Sequence, residues 1–333
     1  MPQNDVKITD FNGTVEIKKK NKSNWQKVTT VPIVINLGDQ LRKKPGASVK
    51  VVCSNGKPGE PISDNTPVGL NSICPTTIFR DASDSAIPYT ISPRDTLILT
   101  KQPTLRWHAS NDTNRFKVTV RGQGLNWTKE VSRQEACQGD ICKLLYPGDQ
   151  PLQPGVGYKL VIETTDTNKS SEEVGVPGLG FQLIDEDKAL EIQNTAQEIE
   201  QQTLSAVEKA LKLADLYNQN LLTAEAIAIL EALPNEDKNT VVYRQLGELY
   251  HWSRLLSEAE AYYKEAIAKA EAIRDKSEIA ATQVGLGELN RTLDKQPEAQ
   301  SLLEAAKAIY TELGDADMVS YLEGQLGEMA HNS

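Results

Sequence analysis

The chain has 333 residues, enough for two or three domains, and its 39% apolar and 25% charged residues are typical of a globular protein. No stretch approaches the ~18 uninterrupted apolar residues of a transmembrane helix, so no membrane span is predicted. The net charge of −10 argues against nucleic acid as the main ligand, because phosphate-binding domains usually carry a basic excess. Three histidines and four cysteines leave little material for a metal site or a nucleophile, so we predict a non-enzyme without cofactor or metal.

Charge and composition divide the chain near residue 184. Residues 184–333 hold 28 acidic and 13 basic residues, a net charge of −15, which leaves residues 1–183 with 18 acidic and 23 basic residues and a net charge of +5. The first part is rich in turn residues and alternating β-branched residues, which indicates strands. The second part is rich in Ala, Leu, Glu and Gln, which indicates helices. The predicted fold class is therefore multidomain, all-β followed by all-α.

Residues 1–90 alternate apolar and polar side chains in short runs, separated by turn signals such as Asn12-Gly13 and Pro45-Gly46. This pattern predicts a small all-β domain. The runs GTVEI, WQKV, INLGDQLR and SVKVVCSNG resemble a FecR-like domain. The resemblance implies a bacterial, cyanobacterial-like protein that works outside the cytoplasmic membrane. No anti-sigma segment of the regulator kind is visible, so a simple iron-signalling role is not expected.

Basic side chains crowd two of the predicted hairpins in this domain. They could form a docking patch for an anionic polymer, an acidic protein or anionic lipid headgroups. Alternatively, they are solvated hairpin tips whose lysines protect sheet edges from aggregation. The residues of this basic patch are Lys18, Lys19, Lys20, Lys22, Arg42, Lys43 and Lys44.

Residues 91–183 contain strictly alternating runs around Phe116 and Leu160, and Trp107 lies on a preceding run. With Trp127 and the segment LQPGVGY that ends at Tyr158, this block resembles a fibronectin type III or immunoglobulin-like sandwich. The resemblance implies a core containing Trp107 and a Tyr158 that bonds back to the chain. Such a sandwich serves either as a spacer or as a ligand platform, and the fold alone does not choose between them.

All four cysteines lie in the β-rich part, as two local pairs. An even number in such a region favours two disulfides, Cys53–Cys74 and Cys137–Cys142, and an oxidising compartment. Free buried thiols or a four-cysteine zinc site are the alternatives, but zinc sites usually use closer spacings. Disulfides imply export to the periplasm or the extracellular space. The start MPQNDVKITD has no apolar signal-peptide core, so we expect the exported protein to have been trimmed here.

The helical part is a repeat. A leucine followed by a small residue recurs in steps of 33, 40 and 40 residues, and an alanine follows twelve residues after the first three small residues. This pattern resembles tetratricopeptide (TPR) repeats, with three repeats and a capping helix over residues 203–333 and a polar connector helix within residues 184–202. The resemblance implies an α-solenoid in which the small residues allow close helix contacts. The recurring pairs are Leu213-Ala214, Leu246-Gly247, Leu286-Gly287 and Leu326-Gly327.

In this family the first helices of the repeats line a groove that binds peptides or protein segments. Relatives that bind C-terminal carboxylates have Asn at the ninth position of the repeat, where this chain has Asp215, Glu248 and Glu288. Acidic side chains at these positions would repel a carboxylate. The pattern therefore favours a basic or extended segment. Trp252 is either an aromatic anchor for the partner or a side chain packed between repeats. The positions that the resemblance assigns to the groove are Asp215, Asn218, Arg244, Glu248, His251, Trp252, Glu288 and Arg291.

The sequence therefore predicts a non-enzymatic, exported scaffold or adaptor that binds a protein or peptide segment in the repeat groove, in envelope assembly or signalling. The alternative is a cell-wall or polysaccharide-binding protein that uses its β half as the binder and its repeats for assembly.

Overall fold

The computed structural model describes residues 6–19, 24–35, 39–53, 62, 64–65, 68–69, 73, 87–172 and 180–331. Two compact units divide the chain. The first comprises residues 1–79 together with 169–179, and the second comprises residues 80–168 together with 180–333. The second unit thus contains both the central β region and all the long helices.

The described residues of the first unit form two small antiparallel sheets. One has the order β4-β1-β6 and the other β3-β2-β5-β7. Their alternating side chains close one core that includes Ile8, Val15, Leu41 and Val51, as the alternation predicts. The strands are β1 Lys7–Asn12, β2 Val15–Lys18, β3 Gln26–Lys27, β4 Ile33–Val34, β5 Gln40–Lys43, β6 Ser48–Val52 and β7 Val68–Gly69.

The second unit begins with two sheets that face each other. One has the order β13-β14-β10-β8, and the other has the order β12-β11-β15-β16-β9, in which only β16 and β9 are parallel. A short helix, α1 (Arg133–Ala136), follows β12. The strands are β8 Tyr89–Ser92, β9 Thr96–Ile98, β10 Thr104–His108, β11 Arg115–Gly122, β12 Leu125–Ser132, β13 Cys137–Gln138, β14 Ile141–Leu145, β15 Gly157–Thr164 and β16 Phe181–Leu183.

Aromatic side chains fill the space between these sheets. Trp107 and Phe116, from opposite sheets, are fully buried with ring centroids 5.6 Å apart, and Trp127 meets Tyr146 at 5.0 Å. The Tyr158 hydroxyl accepts a hydrogen bond from the backbone N–H of Gln153 at 2.7 Å. Trp107 thus lies in the core and Tyr158 bonds back to the chain, as the sequence predicts, and Trp127 on β12 is buried beside them.

One predicted disulfide is present. Cys137 and Cys142 face each other across β13 and β14, with their Cα atoms 3.8 Å apart, and are bonded. Cys53 is buried at the end of β6. Cys74 lies outside the described residues, so the Cys53–Cys74 pairing stays a prediction.

In the described part of the chain, eight further helices follow the sandwich. The connector α2 is polar and buries Ile192, and the remaining helices are amphipathic. Side-chain caps define several starts: Ser205 and Glu208 form a capping box on α3, and Asn239 caps α5. The helices are α2 Glu186–Gln201, α3 Ala206–Gln219, α4 Thr223–Glu231, α5 Thr240–Trp252, α6 Leu256–Ile273, α7 Lys276–Thr292, α8 Gln296–Leu313 and α9 Ala316–His331.

The small residues of the repeat lie where the sequence predicts close helix contacts, with one exception. A Cβ atom on Gly247 would lie 2.7 Å from the Tyr263 ring, and one on Gly287 would lie 2.8 Å from Leu303. A Cβ atom on Gly327 would meet nothing within 4 Å. The prediction is wrong at Gly327, because no further helix follows α9 in the described part of the chain to cover that position.

The sandwich docks directly on the first two helix pairs. The guanidinium of Arg94, 8% exposed, donates to the Ser253 carbonyl at 2.9 Å in the turn between α5 and α6. The Leu97 N–H donates to the Leu221 carbonyl at 2.9 Å in the turn between α3 and α4. These hydrogen bonds to backbone carbonyls fix the sandwich against both turns, and sandwich and helices belong to one compact unit.

Candidate protein-binding groove

The first helices of the pairs, α3, α5, α7 and α9, form the face on which the predicted groove residues lie. We call it the inner-helix face. Side chains link each of these helices to the next: Gln245 donates to Asp215 at 3.0 Å between α3 and α5, and Tyr321 donates to Glu288 at 2.8 Å between α9 and α7. The inner helices are therefore held together by their own polar side chains.

Arg244 is the most strongly paired cation on this face. Its guanidinium donates to Glu248 at 2.6 Å within α5 and to Glu278 at 2.9 Å on α7. Burial by itself would lower the pKa of Arg244, but the hydrogen bonds and charges of Glu278 and Glu248 outweigh it and raise the pKa. Arg244 therefore serves as a cross-link between two helices. Glu278, its main partner, is not among the groove residues predicted from the repeat positions. It lies 34 residues from Arg244 in the sequence, on the next inner helix.

The three predicted carboxylates of the groove are only partly engaged. Asp215, Glu248 and Glu288 each accept through one oxygen, and their second oxygens have no hydrogen-bond partner among the described residues. Burial raises the pKa of Glu248, and Arg244 opposes that rise. A carboxylate can accept several hydrogen bonds, so each retains capacity for a donor from a partner.

His251 and Trp252 are the last two residues of α5, and they differ in how far their side chains are exposed to solvent. The His251 ring bonds to the Thr292 hydroxyl at 3.2 Å on α7, and burial lowers its pKa. Trp252 is 74% exposed. Packing between repeats is therefore wrong for Trp252, and an exposed indole on the rim of the inner-helix face is what an anchor for a partner requires.

The remaining predicted groove residues lie one turn further along their helices. Arg291 on α7 hydrogen-bonds Gln325 and lies 3.9 Å from a Glu328 oxygen, both on α9. Asn218 lies in the last turn of α3, and its carbonyl accepts from the Leu221 N–H at 3.0 Å.

Carboxylates pair four of the five described cations of the basic patch in the first unit. Its described members lie on or beside β2 and β5, which pair antiparallel. Arg42 bonds Glu16 at 2.8 Å and stacks 4.1 Å from the Trp25 ring centroid, and Lys19 bonds Asp39 at 2.8 Å. Lys43 pairs with Asp64 and Lys44 with Glu16 at 3.8 Å, whereas Lys18 lies 5.5 Å from the Trp25 ring centroid. Lys20 and Lys22 lie outside the described residues.

The residues that connect the sandwich to the helices were not predicted from the sequence. Arg106 on β10 pairs with Glu231 of α4 at 2.7 Å, and Glu231 also accepts from Tyr250 of α5 at 2.6 Å. Glu225 of α4 accepts from the Leu99 N–H at 2.7 Å. These partners are more than 100 residues apart or lie on separate repeats, so no local pattern could reveal them.

No group of three or more His, Cys, Asp and Glu side chains among the described residues could hold a metal ion. None of the described helices combines the length and the apolar character that crossing a membrane requires.

A match to a family model agrees with the helical architecture of the C-terminal region. The family model "Tetratricopeptide repeat" matches residues 240–312. A comparison with curated proteins found no match. Among solved structures, BtubC (BKLC) from P. vanneervenii is 17% identical over 44% of this chain and 73% of that chain, with a TM-score of 0.31.

Two further solved structures are similar to a comparable extent. MamA is 18% identical over 44% of this chain and 89% of that chain, with a TM-score of 0.30. A putative kinesin light chain from Podosopora anserina with TPR-like repeats is 20% identical over 39% of this chain and 72% of that chain, also at 0.30. On the family match and its own helix pairs, the C-terminal region of this chain carries tetratricopeptide repeats.

Proposed function

We propose that this protein is a non-enzymatic scaffold that captures a protein segment on its inner-helix face. The observation that carries the proposal is the face itself: linked helices, three carboxylates with unused acceptor capacity and an exposed indole on the rim. A face fixed before binding loses little conformational entropy on capture, which favours recognition. Tetratricopeptide repeats commonly serve protein–protein interaction, which is consistent with this role.

We further propose that the β parts are a FecR-like domain and a fibronectin or immunoglobulin-like sandwich, and that the protein works in the periplasm or outside the cell. The sheet orders of the sandwich and the Tyr158 hydrogen bond support its assignment. The Cys137–Cys142 disulfide supports an oxidising compartment. Firm docking on the helices supports a positioning role for the sandwich rather than that of a loose spacer.

Cell-wall binding through the β half is the alternative function. Because carboxylates already pair four of the described cations of the basic patch, these four have less charge to offer an anionic polymer. A pull-down with purified peptidoglycan, run beside a pull-down from an envelope protein extract, distinguishes the two functions.

The groove is tested with the double variant Glu248→Gln and Glu288→Gln, which removes two charges and keeps the side-chain size. A matched control changes Glu271 and Glu304, on the second helices α6 and α8, to Gln. We expect the parent and the control to retain the same proteins and the groove variant to lose them, with unchanged far-UV circular dichroism. If the groove variant retains every partner of the parent, the inner-helix face is not the site and the β half becomes the better candidate.

A further inference from the structure

We infer that the segment captured on the inner-helix face is a polyproline II stretch with a lysine or arginine at every third residue. This inference rests on the proposed function and specifies its partner. It follows from the spacing of three carboxylates, from the state of the cations beside them and from the exposed Trp252.

The carboxylates form a row that crosses the inner helices. Asp215, Glu248 and Glu288 occupy the same place in successive repeats, at sequence steps of 33 and 40 residues. Hydrogen bonds from Gln245 to Asp215 and from Arg244 to Glu278 show that α3, α5 and α7 are direct neighbours. Packed helices have axes about 8–10 Å apart, so the backbone positions that carry neighbouring carboxylates of the row repeat at roughly that distance.

A polyproline II helix matches this spacing. It has three residues per turn and a rise of about 3.1 Å per residue, so every third side chain points the same way about 9 Å further on. In a β-strand, side chains on one face recur about every 6.8 Å. This repeat is shorter than the spacing of the helices, so a strand that places one side chain at the first carboxylate does not place the next at the second. An α-helix reaches about 10.5 Å only with seven-residue spacing, and it is the competing occupant.

The charges beside the row favour a basic ligand. Arg244 already has two carboxylate partners, Glu248 and Glu278, and so has little left for an acidic segment. Arg291 lies one turn beyond Glu288 and is engaged by Gln325 and Glu328 of α9. Counting all these side chains, five carboxylates face two guanidinium groups, and Asp215, Glu248 and Glu288 each offer an unused oxygen. An ammonium group could complete each of these three acceptors.

Trp252 gives the segment an apolar contact. Its indole is 74% exposed at the end of α5, next to the row. Proteins that recognise polyproline II segments dock the proline rings on exposed aromatic side chains, because the extended backbone is already ordered before binding. A basic side chain next to the indole would add a cation–π contact. The indole and the carboxylate row thus suit the two residue types of one segment.

Synthetic peptides test the inference on the full chain by fluorescence anisotropy. The probe is a fluorescein-labelled peptide of three Lys-Pro-Pro triplets. One control peptide has the same composition with its three lysines contiguous, a second has Glu in place of Lys, and a third places lysines seven residues apart in a helix-forming alanine background. The proteins are the parent, the groove variant with Gln at 248 and 288, the outer-helix control with Gln at 271 and 304, and Trp252→Ala.

We expect the Lys-Pro-Pro peptide to bind the parent and the outer-helix control at least about tenfold more tightly than the contiguous-lysine peptide. The groove variant should lose roughly tenfold in affinity, and salt should weaken binding, because half-exposed ion pairs are screened. Trp252→Ala should also weaken binding of this peptide. Equal binding of the two spacings, tighter binding of the helical peptide, or full binding to the groove variant would overturn the inference.

The two proposals fail separately. If no peptide binds but the groove variant still loses the partners that the parent captures from the envelope extract, the polyproline II inference is wrong and the groove stands. If the groove variant loses neither peptide nor partner, both proposals are wrong.

Discussion

Tyr263 is wedged between two glycines, and this contact predicts a specific response to substitution. The ring projects from α6 and is 1% exposed. A Cβ atom on Gly247 of α5 would lie 2.7 Å from its Cδ1, and a Cβ atom on Gly285 of α7 would lie 2.8 Å from its Cε1. With glycine backbone on both sides, the ring cannot shift away from an added methyl group without disturbing the other helix.

The cost of Gly247→Ala follows from two opposing effects. Replacing a helical glycine by alanine is worth roughly 0.5–1 kcal/mol, whereas overpacking a close contact costs about 1–3 kcal/mol, so a net loss of about 1–2 kcal/mol is expected. Tyr263→Ala alone should cost about 3–5 kcal/mol. Once the ring is gone, Gly247→Ala should become stabilising by up to about 1 kcal/mol, a coupling of about 2 kcal/mol between the two sites.

Thermal unfolding followed by circular dichroism at 222 nm measures the stability of Gly247→Ala, Tyr263→Ala and the double variant. A change of about 1 kcal/mol shifts Tm by roughly 2–4 °C in a unit of this size. Gly327→Ala is the control, because its Cβ would meet nothing within 4 Å, and it should raise Tm slightly. If Gly247→Ala leaves Tm unchanged, or lowers it equally with and without the Tyr263 ring, the wedge is not what requires glycine there.

Three further predictions concern burial, backbone and cysteines. Burial raises the pKa of Glu225 to about 7 from 4.5, so the folded state holds its proton more strongly, and stability should fall by up to roughly 3 kcal/mol as pH rises from 4.5 to 7. Chemical denaturation across this range should show the fall in the parent and not in Glu225→Gln. Arg274 caps the end of α6 in the left-handed region, with a φ of 57°, as Gly314 does at the end of α8, with a φ of 77°. Because glycine adopts this region without the steric cost of a side chain, Arg274→Gly should raise Tm by the equivalent of about 1 kcal/mol, and Gly314→Ala should lower it similarly. Mass spectrometry of the unreduced protein should find no free thiol; a free thiol at Cys137 or Cys142 would contradict the structure, and one elsewhere would contradict the second predicted pairing.

Local patterns in the sequence determined the elements and much of their packing. Strand alternation placed Phe116 in the sandwich core, and the resemblance to a fibronectin or immunoglobulin-like sandwich placed Trp107 there. The tetratricopeptide resemblance carried by the repeat spacing placed Gly247 and Gly287 at close helix contacts. These inferences succeed because burial follows the periods of 2 and 3.6 residues that the chain itself displays. The same reasoning failed at Gly327, since a repeat pattern does not show where the stack of helices ends.

The state of the candidate site was decided by tertiary structure. The sequence lists Arg244 as a groove cation, but Glu278, 34 residues away, turns it into a link between helices. The sequence did not decide whether Trp252 is packed between repeats or exposed. It also gave no sign that Arg94 bonds to the carbonyl of Ser253, 159 residues further along the chain, in the turn that follows Trp252. Charge pairing and docking depend on which surfaces meet after the chain has folded, and that information lies in contacts between distant residues rather than in any local period.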